Sequence, residues 1–119
     1  MPNRGAGEAR DELQLFKAEF FRALAHPVRI RILETLVSGG RSVQELQEAL
    51  GLEQPLVSQQ LAVLRGKNIV TARKLGTTIR YEVRDPLVGD LLTTARRIFD
   101  NHFADAQTLH RELRREGRR

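Results

Sequence analysis

The sequence contains no cysteine and no tryptophan, and it has a single methionine and a single tyrosine. Without cysteine, the chain can form no disulfide framework, no thiolate metal site and no cysteine nucleophile. No apolar run approaches the roughly 20 residues that a membrane-spanning helix needs, and the first ten residues lack the apolar core of a signal peptide. We therefore expect a protein that stays in the cytoplasm and does not enter a membrane.

What remains is the composition of one small globular domain. Hydrophobic residues make up 40% of the 119 residues, which is enough for a single small core. Lys and Arg number 20 against 15 Asp and Glu, so the formal net charge is +5. This excess favours an anionic partner, although part of it is a basic C-terminal tail that contains Arg111, Arg114, Arg115, Arg118 and Arg119.

Residues 42–66 predict two short helices joined by a tight turn. The first helix carries apolar residues at helical spacing and ends at Gly51, which can adopt the left-handed backbone of a helix C-cap. The second has Pro55 in its first turn and one apolar stripe, formed by Val57, Leu61 and Leu64. Two such helices make a helix-turn-helix.

The outer side of the second helix carries groups that suit a DNA groove. Glutamine can pair with adenine, serine can bind a base or a phosphate, and arginine suits guanine or phosphate. We therefore predict DNA contacts from Gln54, Ser58, Gln59, Gln60 and Arg65. The alternative is a helical domain that does not bind nucleic acid, because two amphipathic helices around a glycine turn are common in such domains.

Residues 69–84 predict a β-hairpin. Apolar and polar side chains alternate from Thr78 to Val83, and the break around Gly76 lets two strands fold back on each other. A basic hairpin directly after a recognition helix is typical of a wing, which places cations against DNA phosphates or the minor groove. The predicted contacts are Arg73, Lys74, Thr77 and Arg80. The alternative is a solvated hairpin whose cations only protect a sheet edge.

The N-terminal part predicts a flexible arm over residues 1–8 and then two helices. The first, from about Glu8 to Ala25, has an apolar stripe that includes Phe16 and Phe20, and we expect these rings to be buried. They would pack against the helix-turn-helix or against a second copy of the chain. His26 is expected to be a buried or capping residue before a second helix that begins at Pro27.

The C-terminal part predicts one long helix over residues 86–116. Its apolar residues step by three and four along a heptad-like seam of Leu92, Ala95, Phe99, His102, Ala106, Leu109 and Leu113. We expect this seam to form a homodimer, together with the helix that carries Phe16 and Phe20, since exposing it would be costly. The alternative is a monomeric helix that covers its own core.

Two segments carry a resemblance to a known family. ALAHPVRIRIL closely resembles the LAHPxRxxIL signature of the ArsR/SmtB-type winged-helix repressors, and LGLEQPLVSQQLAVLR resembles their recognition helix. The resemblance covers about residues 13–98. It implies a mainly α fold with a small β-hairpin, a winged helix-turn-helix that dimerises through its terminal helices and represses transcription at a palindromic operator. One departure is Glu53, which stands in a capping position often filled by serine.

Members of this family often sense a metal, but the ligands that the resemblance implies are largely absent here. The position of the family's thiolate site falls around residues 42–45, which contain neither cysteine nor histidine. At the final helix, Asp85 matches the first ligand, whereas the other three positions hold Leu87, Ile98 and Asn101. One carboxylate cannot form a four-ligand site.

A weaker candidate set remains on the final helix, namely His102, Asp105 and His110. A two-fold dimer could double it, but solvated side chains are the simpler interpretation. We therefore expect no cofactor and leave a metal response open. Repression would depend on a non-metal signal or on an effector-sensing partner protein.

The sequence thus predicts a homodimeric, sequence-specific repressor that binds a double-stranded DNA operator. The alternative is a winged-helix module that binds a protein, which should present apolar anchors on its outer face. Enzymatic function is not indicated, because Ser58 has no histidine or carboxylate at a catalytic spacing and no phosphate-binding glycine loop is present.

Overall fold

The computed structural model describes residues 5–117, in which five helices flank one two-stranded antiparallel hairpin. The elements are α1 (Ala6–Leu24), α2 (Pro27–Val37), α3 (Val43–Leu50), α4 (Gln54–Gly66), β1 (Val70–Leu75), β2 (Thr78–Val83) and α5 (Leu87–Gly117). The predicted fold class, mainly α with a small hairpin in winged helix-turn-helix order, is confirmed. None of these helices is long and apolar enough to cross a membrane.

The chain divides into two compact units. Met1–Asp85 holds α1 to β2, and Pro86–Arg119 holds α5. The first unit holds most of the buried apolar side chains. The least exposed of them lie on α2, α3, α4 and β1, namely Ile32, Leu33, Leu46, Val57, Leu61, Leu64 and Val70. The second unit is a single 31-residue helix, about 46 Å long at 1.5 Å per residue.

The N-terminal helix begins earlier than the sequence predicts. α1 starts at Ala6, so residues 6–8 of the predicted flexible arm are helical, and residues 1–4 lie outside the described residues. Glu8 lies in the first turn, where its charge complements the positive end of the helix dipole. This charge favours a helix in a segment that its glycines suggest is irregular.

His26 ends the connection between α1 and α2 as a capping residue. Its Nδ1 accepts a hydrogen bond from the backbone N–H of Val28 at 3.1 Å, and Pro27 follows as the first helical residue. Proline is tolerated there because the N–H that it lacks would have no partner inside the helix. The predicted capping role of His26 is confirmed.

The start of α3 is fixed by a capping box, a feature that helical periodicity alone does not reveal. The Ser42 hydroxyl accepts from the N–H of Glu45 at 3.1 Å, and the Glu45 carboxylate accepts from the N–H of Ser42 at 3.0 Å. Gly51 ends the helix at φ 67°, and its N–H donates to the carbonyl of Gln47 at 2.8 Å. Both ends of α3 therefore carry capping hydrogen bonds.

The two strands of the hairpin pair from Val70 opposite Val83 to Leu75 opposite Thr78. Gly76 begins the two-residue loop at φ 63°, a left-handed conformation that matches the twist of the flanking strands and costs glycine little. The loop therefore sets the register, and the register decides which side chains share a face of the wing.

The helix-turn-helix of the same chain leaves most of the phenylalanine surface of α1 uncovered, and burial of these rings against a second copy stays a prediction. Phe16 is 72% exposed and Phe21 is 56% exposed, while Phe20 is partly buried. α5 also exposes large apolar side chains along its length, including Phe99 and Phe103 at 64% each. The periodicity predicts apolar faces correctly, but it cannot tell whether the same chain covers them.

The capping box yields a stability prediction. Ser42→Ala removes one hydrogen bond and leaves the N–H of Glu45 without its partner, so we expect a loss of about 1 kcal/mol in the free energy of unfolding. Urea denaturation measures it. Glu48→Gln is the matched control because Glu48 is exposed on the same helix outside the box. A loss no larger than that of the control would contradict the capping role.

The same box predicts a pH dependence. The pKa of Glu45 lies below its ordinary value of 4.5, chiefly because the backbone N–H of Ser42 donates to the carboxylate. A carboxyl group with a lowered pKa in the folded state stabilises the fold above its unfolded pKa, and this contribution disappears as the pH falls through the folded value. We expect the stability difference between wild type and Glu45→Gln to shrink below pH 4.5.

Candidate nucleic-acid interface

The orientation of α4 follows from its buried stripe. Val57, Leu61 and Leu64 are at most 1% exposed, so this face points into the core. The opposite side and one flank then face outward, and they carry the exposed side chains of Gln54, Gln59 and Arg65. α4 thus presents amide and guanidinium groups that can reach an external ligand.

Gln54 and Ser58 form a coupled pair on the flank of α4. The Gln54 Nε2 donates to the Ser58 Oγ at 2.7 Å, across one helical turn. Gln54 is exposed, whereas Ser58 is partly buried. This hydrogen bond restricts the rotation of the glutamine amide, so that less conformational entropy is lost when the amide binds a ligand.

Gln60 does not belong to this surface, which corrects its prediction as a DNA-contacting residue. It is 8% exposed and buried together with the apolar stripe. The reason is its spacing, because Gln60 follows Val57 by three residues and precedes Leu64 by four. Most of its side chain therefore packs on the core side of α4, and the helical period outweighs its polar character.

The hairpin separates the predicted wing cations between its two faces. Arg73 lies directly opposite Arg80, whereas Lys74 lies opposite Ile79. Because neighbouring residues on a strand point to opposite faces, Arg73 and Arg80 share one face and Lys74 lies on the other. Thr77 is exposed in the loop. The structure thus brings the two arginines together and places the lysine apart from them.

The wing is attached to the helix-turn-helix through the connection between α2 and α3. Arg41 forms an antiparallel bridge with Tyr81, in which Arg41 N–H donates to Tyr81 O at 3.0 Å and Tyr81 N–H donates to Arg41 O at 2.8 Å. The Arg41 guanidinium also donates to the carbonyls of Gly39 and Gly40 at 2.8 and 2.9 Å. These bonds hold β2 beside the start of α3.

Gly40 allows this close approach. A Cβ at this position would lie 2.7 Å from Glu82 Cγ and 3.0 Å from Arg80 Cγ, distances that a real side chain does not tolerate without movement of its neighbours. The absence of a side chain at Gly40 therefore lets Arg80 and Glu82 pack against the loop. From the sequence alone, this glycine indicates only the end of a helix.

Glu82 is a further residue of the wing that the sequence pattern does not single out. Its Oε1 accepts from Arg73 Nη2 and from Arg80 Nε, each at 3.3 Å. Two like charges directly opposite each other destabilise a hairpin, and an intervening carboxylate relieves their repulsion. The alternation of β2 places Glu82 on the face of Arg80, but its contact with Arg73 depends on the register.

Most of the predicted dimer residues are exposed in the single chain. Phe16 is 72%, Phe99 64% and Leu109 56% exposed. His102 and Ala106 are also exposed, while the partly buried members are Phe20, Leu92 and Ala95.

The weaker metal candidates His102, Asp105 and His110 are exposed on α5. Within residues 5–117 of one chain, no three histidine, aspartate or glutamate side chains come together as a group that could hold a metal ion.

Comparison with known proteins places this geometry in a family. Residues 26–72 match the family described as "Bacterial regulatory protein, arsR family". The chain is 44% identical over 108 residues to the HTH-type transcriptional regulator Rv0081 of Mycobacterium tuberculosis, covering 90% of this chain and 95% of that protein. The crystal structure of Rv0081 superimposes with a TM-score of 0.72 at 46% identity, over 79% of this chain and 95% of that one.

Two further relatives agree. The biofilm growth-associated repressor of Xylella fastidiosa is 39% identical over 82 residues, 69% of this chain and 72% of that protein. The solution structure of the homodimeric winged helix-turn-helix DNA-binding domain Mb0332 of Mycobacterium bovis has a TM-score of 0.73 at 28% identity, over 87% of this chain and 94% of that one. The chain therefore belongs to the ArsR family of bacterial regulatory proteins, and it is a DNA-binding transcriptional regulator, not an enzyme.

Proposed function

We propose that the protein is a homodimeric repressor that reads a two-fold symmetric operator with the outer surface of α4. The observation that carries this proposal is the chemistry of that surface, where Gln54, Gln59 and Arg65 are exposed beside a basic wing. Amide and guanidinium groups form bidentate hydrogen bonds with adenine and guanine edges in the major groove. A protein-binding surface would instead place aromatic or aliphatic anchors there.

The wing supplies contacts of a different kind. Arg73, Lys74 and Thr77 are exposed, and Arg80 is partly exposed. Cations on a hairpin beside the recognition helix bind phosphates, which position the protein on the duplex but carry no sequence information. Since Arg73 and Arg80 lie on one face and Lys74 on the other, only one of these faces can approach a given phosphate directly.

Dimerisation is supported by the apolar surfaces that single chains leave open. α1 exposes Phe16 at 72%, and α5 exposes Phe99, Phe103 and Leu109 at 56–64%. Several large apolar side chains exposed on one helix mark an interaction site. A second copy would cover it and would pair two recognition helices. When such helices lie about 34 Å apart, they enter successive major grooves on one side of the DNA.

We propose that a metal ion bound by one chain is not the signal that controls repression. Asp85 is the single match to the four ligands of the family's site in the final helix, and Leu87, Ile98 and Asn101 are poor ligands for transition metals. A non-metal effector, or a partner protein that senses one, could regulate repression instead. Such an effector or partner needs only to bind the DNA-bound form and the DNA-free form of the repressor with different affinities.

Base reading by α4 predicts a selective loss of discrimination. Gln59→Ala should reduce the preference for operator over random DNA by about 1–3 kcal/mol per half-site contact, because a base-specific pair is lost. Arg73→Ala should instead weaken binding to operator and to random DNA about equally, and it should lower the salt dependence of both affinities. Mobility-shift titrations on the DNA upstream of the protein's own gene and on a random duplex measure these effects.

Gln60→Leu is the matched control for Gln59→Ala, because the neighbouring glutamine is only 8% exposed and lies on the core side of the same helix. Its discrimination should equal that of the wild type. Small and equal effects of Gln59→Ala and Arg73→Ala on both duplexes would contradict base reading and favour a protein-binding role.

The proposed dimer predicts that a charge in the α5 seam separates the subunits. Phe99→Glu would place an unpaired carboxylate in apolar surroundings on association, so sedimentation should show monomers or unfolded chains. Thr93→Glu adds the same charge at an exposed position of the helix outside the seam and should remain dimeric. An intact, folded Phe99→Glu dimer would move the interface away from this seam.

The missing ligands predict weak metal binding. Calorimetric titration of the purified protein with nickel, zinc and cobalt should give micromolar or weaker dissociation constants, on the order of −8 kcal/mol or less favourable. Operator affinity should change little. Tight binding that is lost in His102→Ala or Asp105→Ala would contradict this prediction and identify these exposed α5 side chains as a sensor.

A further inference from the structure

One carboxylate lies between the two arginines of the wing. The register places Arg73 directly opposite Arg80, and Glu82 follows Arg80 by two residues on the same face of β2. A single oxygen of Glu82 accepts from Arg73 Nη2 and Arg80 Nε, each at 3.3 Å. The wing face that carries two cations therefore holds a net charge of only about one, since the carboxylate offsets one of them.

These ion pairs are suited to exchange. Both distances exceed the roughly 2.7–2.9 Å of strong charge-assisted hydrogen bonds. The side chains of Arg73, Arg80 and Glu82 are 65%, 39% and 40% exposed, so water screens their attraction. An incoming anion can therefore take the place of Glu82 on either guanidinium without breaking the backbone bonds of the hairpin.

Glu82 itself is held in position. Its Cγ packs against Gly40, and the neighbouring residue Tyr81 exchanges two backbone hydrogen bonds with Arg41. Arg73 belongs to the other strand and is the most exposed of the three charged side chains. The backbone of β2 and the stem of Glu82 are thus held beside the arginines, and Arg73 is the cation that can move away from the carboxylate most easily.

We propose that Glu82 is an internal competitor of DNA phosphate that limits how strongly the wing binds the DNA backbone. This inference rests on the proposed function, because it requires the wing to lie on the duplex. A phosphate oxygen and the Glu82 carboxylate are both acceptors for the same guanidinium donors. When Arg73 or Arg80 binds a phosphate, it loses its contact with Glu82, so the net gain in free energy is smaller. Base contacts from α4 involve no such loss.

The test is Glu82→Gln, which removes the charge and keeps the shape of the side chain. We expect affinity for operator and for random duplex to rise several-fold, by about the same factor, so that discrimination is unchanged. The slope of log affinity against log salt should steepen by about 0.9 for each additional phosphate that a wing neutralises. Fluorescence anisotropy titrations of the full-length protein at several salt concentrations measure both quantities.

Two further variants connect the effect to the wing. In the Glu82→Gln background, Arg73→Ala should remove most of the increase in affinity, because Arg73 is the more exposed of the two released arginines. Glu34→Gln is the matched control. It removes the same charge from an exposed position on α2, outside the proposed interface, and should leave the slope unchanged.

A purely structural role for Glu82 would give a different result. If the carboxylate only separates Arg73 from Arg80, Glu82→Gln should lower the melting temperature and weaken DNA binding without a steeper slope, which would overturn the inference. Glu82→Thr, which suits a strand and also lacks the charge, replaces Glu82→Gln if that variant does not fold. An equal steepening in Glu34→Gln would also overturn it, since the effect would then reflect net charge alone.

Failure of the proposed function is distinguishable from failure of this inference. If the wild type binds no duplex even at low salt, both the proposed repressor function and the inference about Glu82 fail. If it binds operator and random DNA equally, only the proposed repressor function fails. If the wild type discriminates but Glu82→Gln does not steepen the salt slope, only the role of Glu82 is wrong.

Discussion

Burial of Val57, Leu61 and Leu64 fixes the rotation of α4 about its axis, since each of these side chains is at most 1% exposed. A rotation by one residue, about 100°, would expose part of this stripe and turn Gln59 away from solvent. Each of these apolar side chains stabilises the fold by about 1.5–3 kcal/mol when buried, which makes such a rotation unfavourable. The outer surface of the helix is thus defined by the core beneath it, and the polar groups proposed to read bases need no further support to face outward.

The wing depends on a second constraint, which is the approach of β2 to the loop before α3. Gly40 provides the space for this approach, and Arg41 and Tyr81 provide two backbone hydrogen bonds. A two-stranded hairpin alone is only marginally stable in water. The bridge adds a third backbone segment to its edge, so the arginines of the wing keep a defined position relative to the helix-turn-helix. Without it, phosphate contacts from the hairpin would not constrain how α4 enters a groove.

Local patterns predict much of this fold, because helix periods and caps are encoded within a few residues. Gly51 as a C-cap, His26 as an N-cap and the fold class follow in this way. Gln60 is missed because its polar amide suggests an outward position, whereas its place in the apolar stripe buries it. The separation of Arg73 from Lys74 and the contact of Glu82 with both arginines depend on cross-strand register. Phe16 is exposed in the single chain, and the periodicity of its helix cannot say whether the same chain or a second copy is to cover an apolar face.

The arrangement separates two contributions to DNA binding. α4 presents mainly neutral amides with one exposed arginine, Arg65, whereas the wing presents cations beside the carboxylate of Glu82. Phosphate contacts raise affinity for every sequence, and a genome offers about a million or more competing non-specific sites. A regulator with an unopposed basic wing would therefore spend more of its time on random DNA. In the arrangement that we propose, a carboxylate within the wing lowers that affinity for all sequences together, and the amides of α4 distinguish one sequence from another.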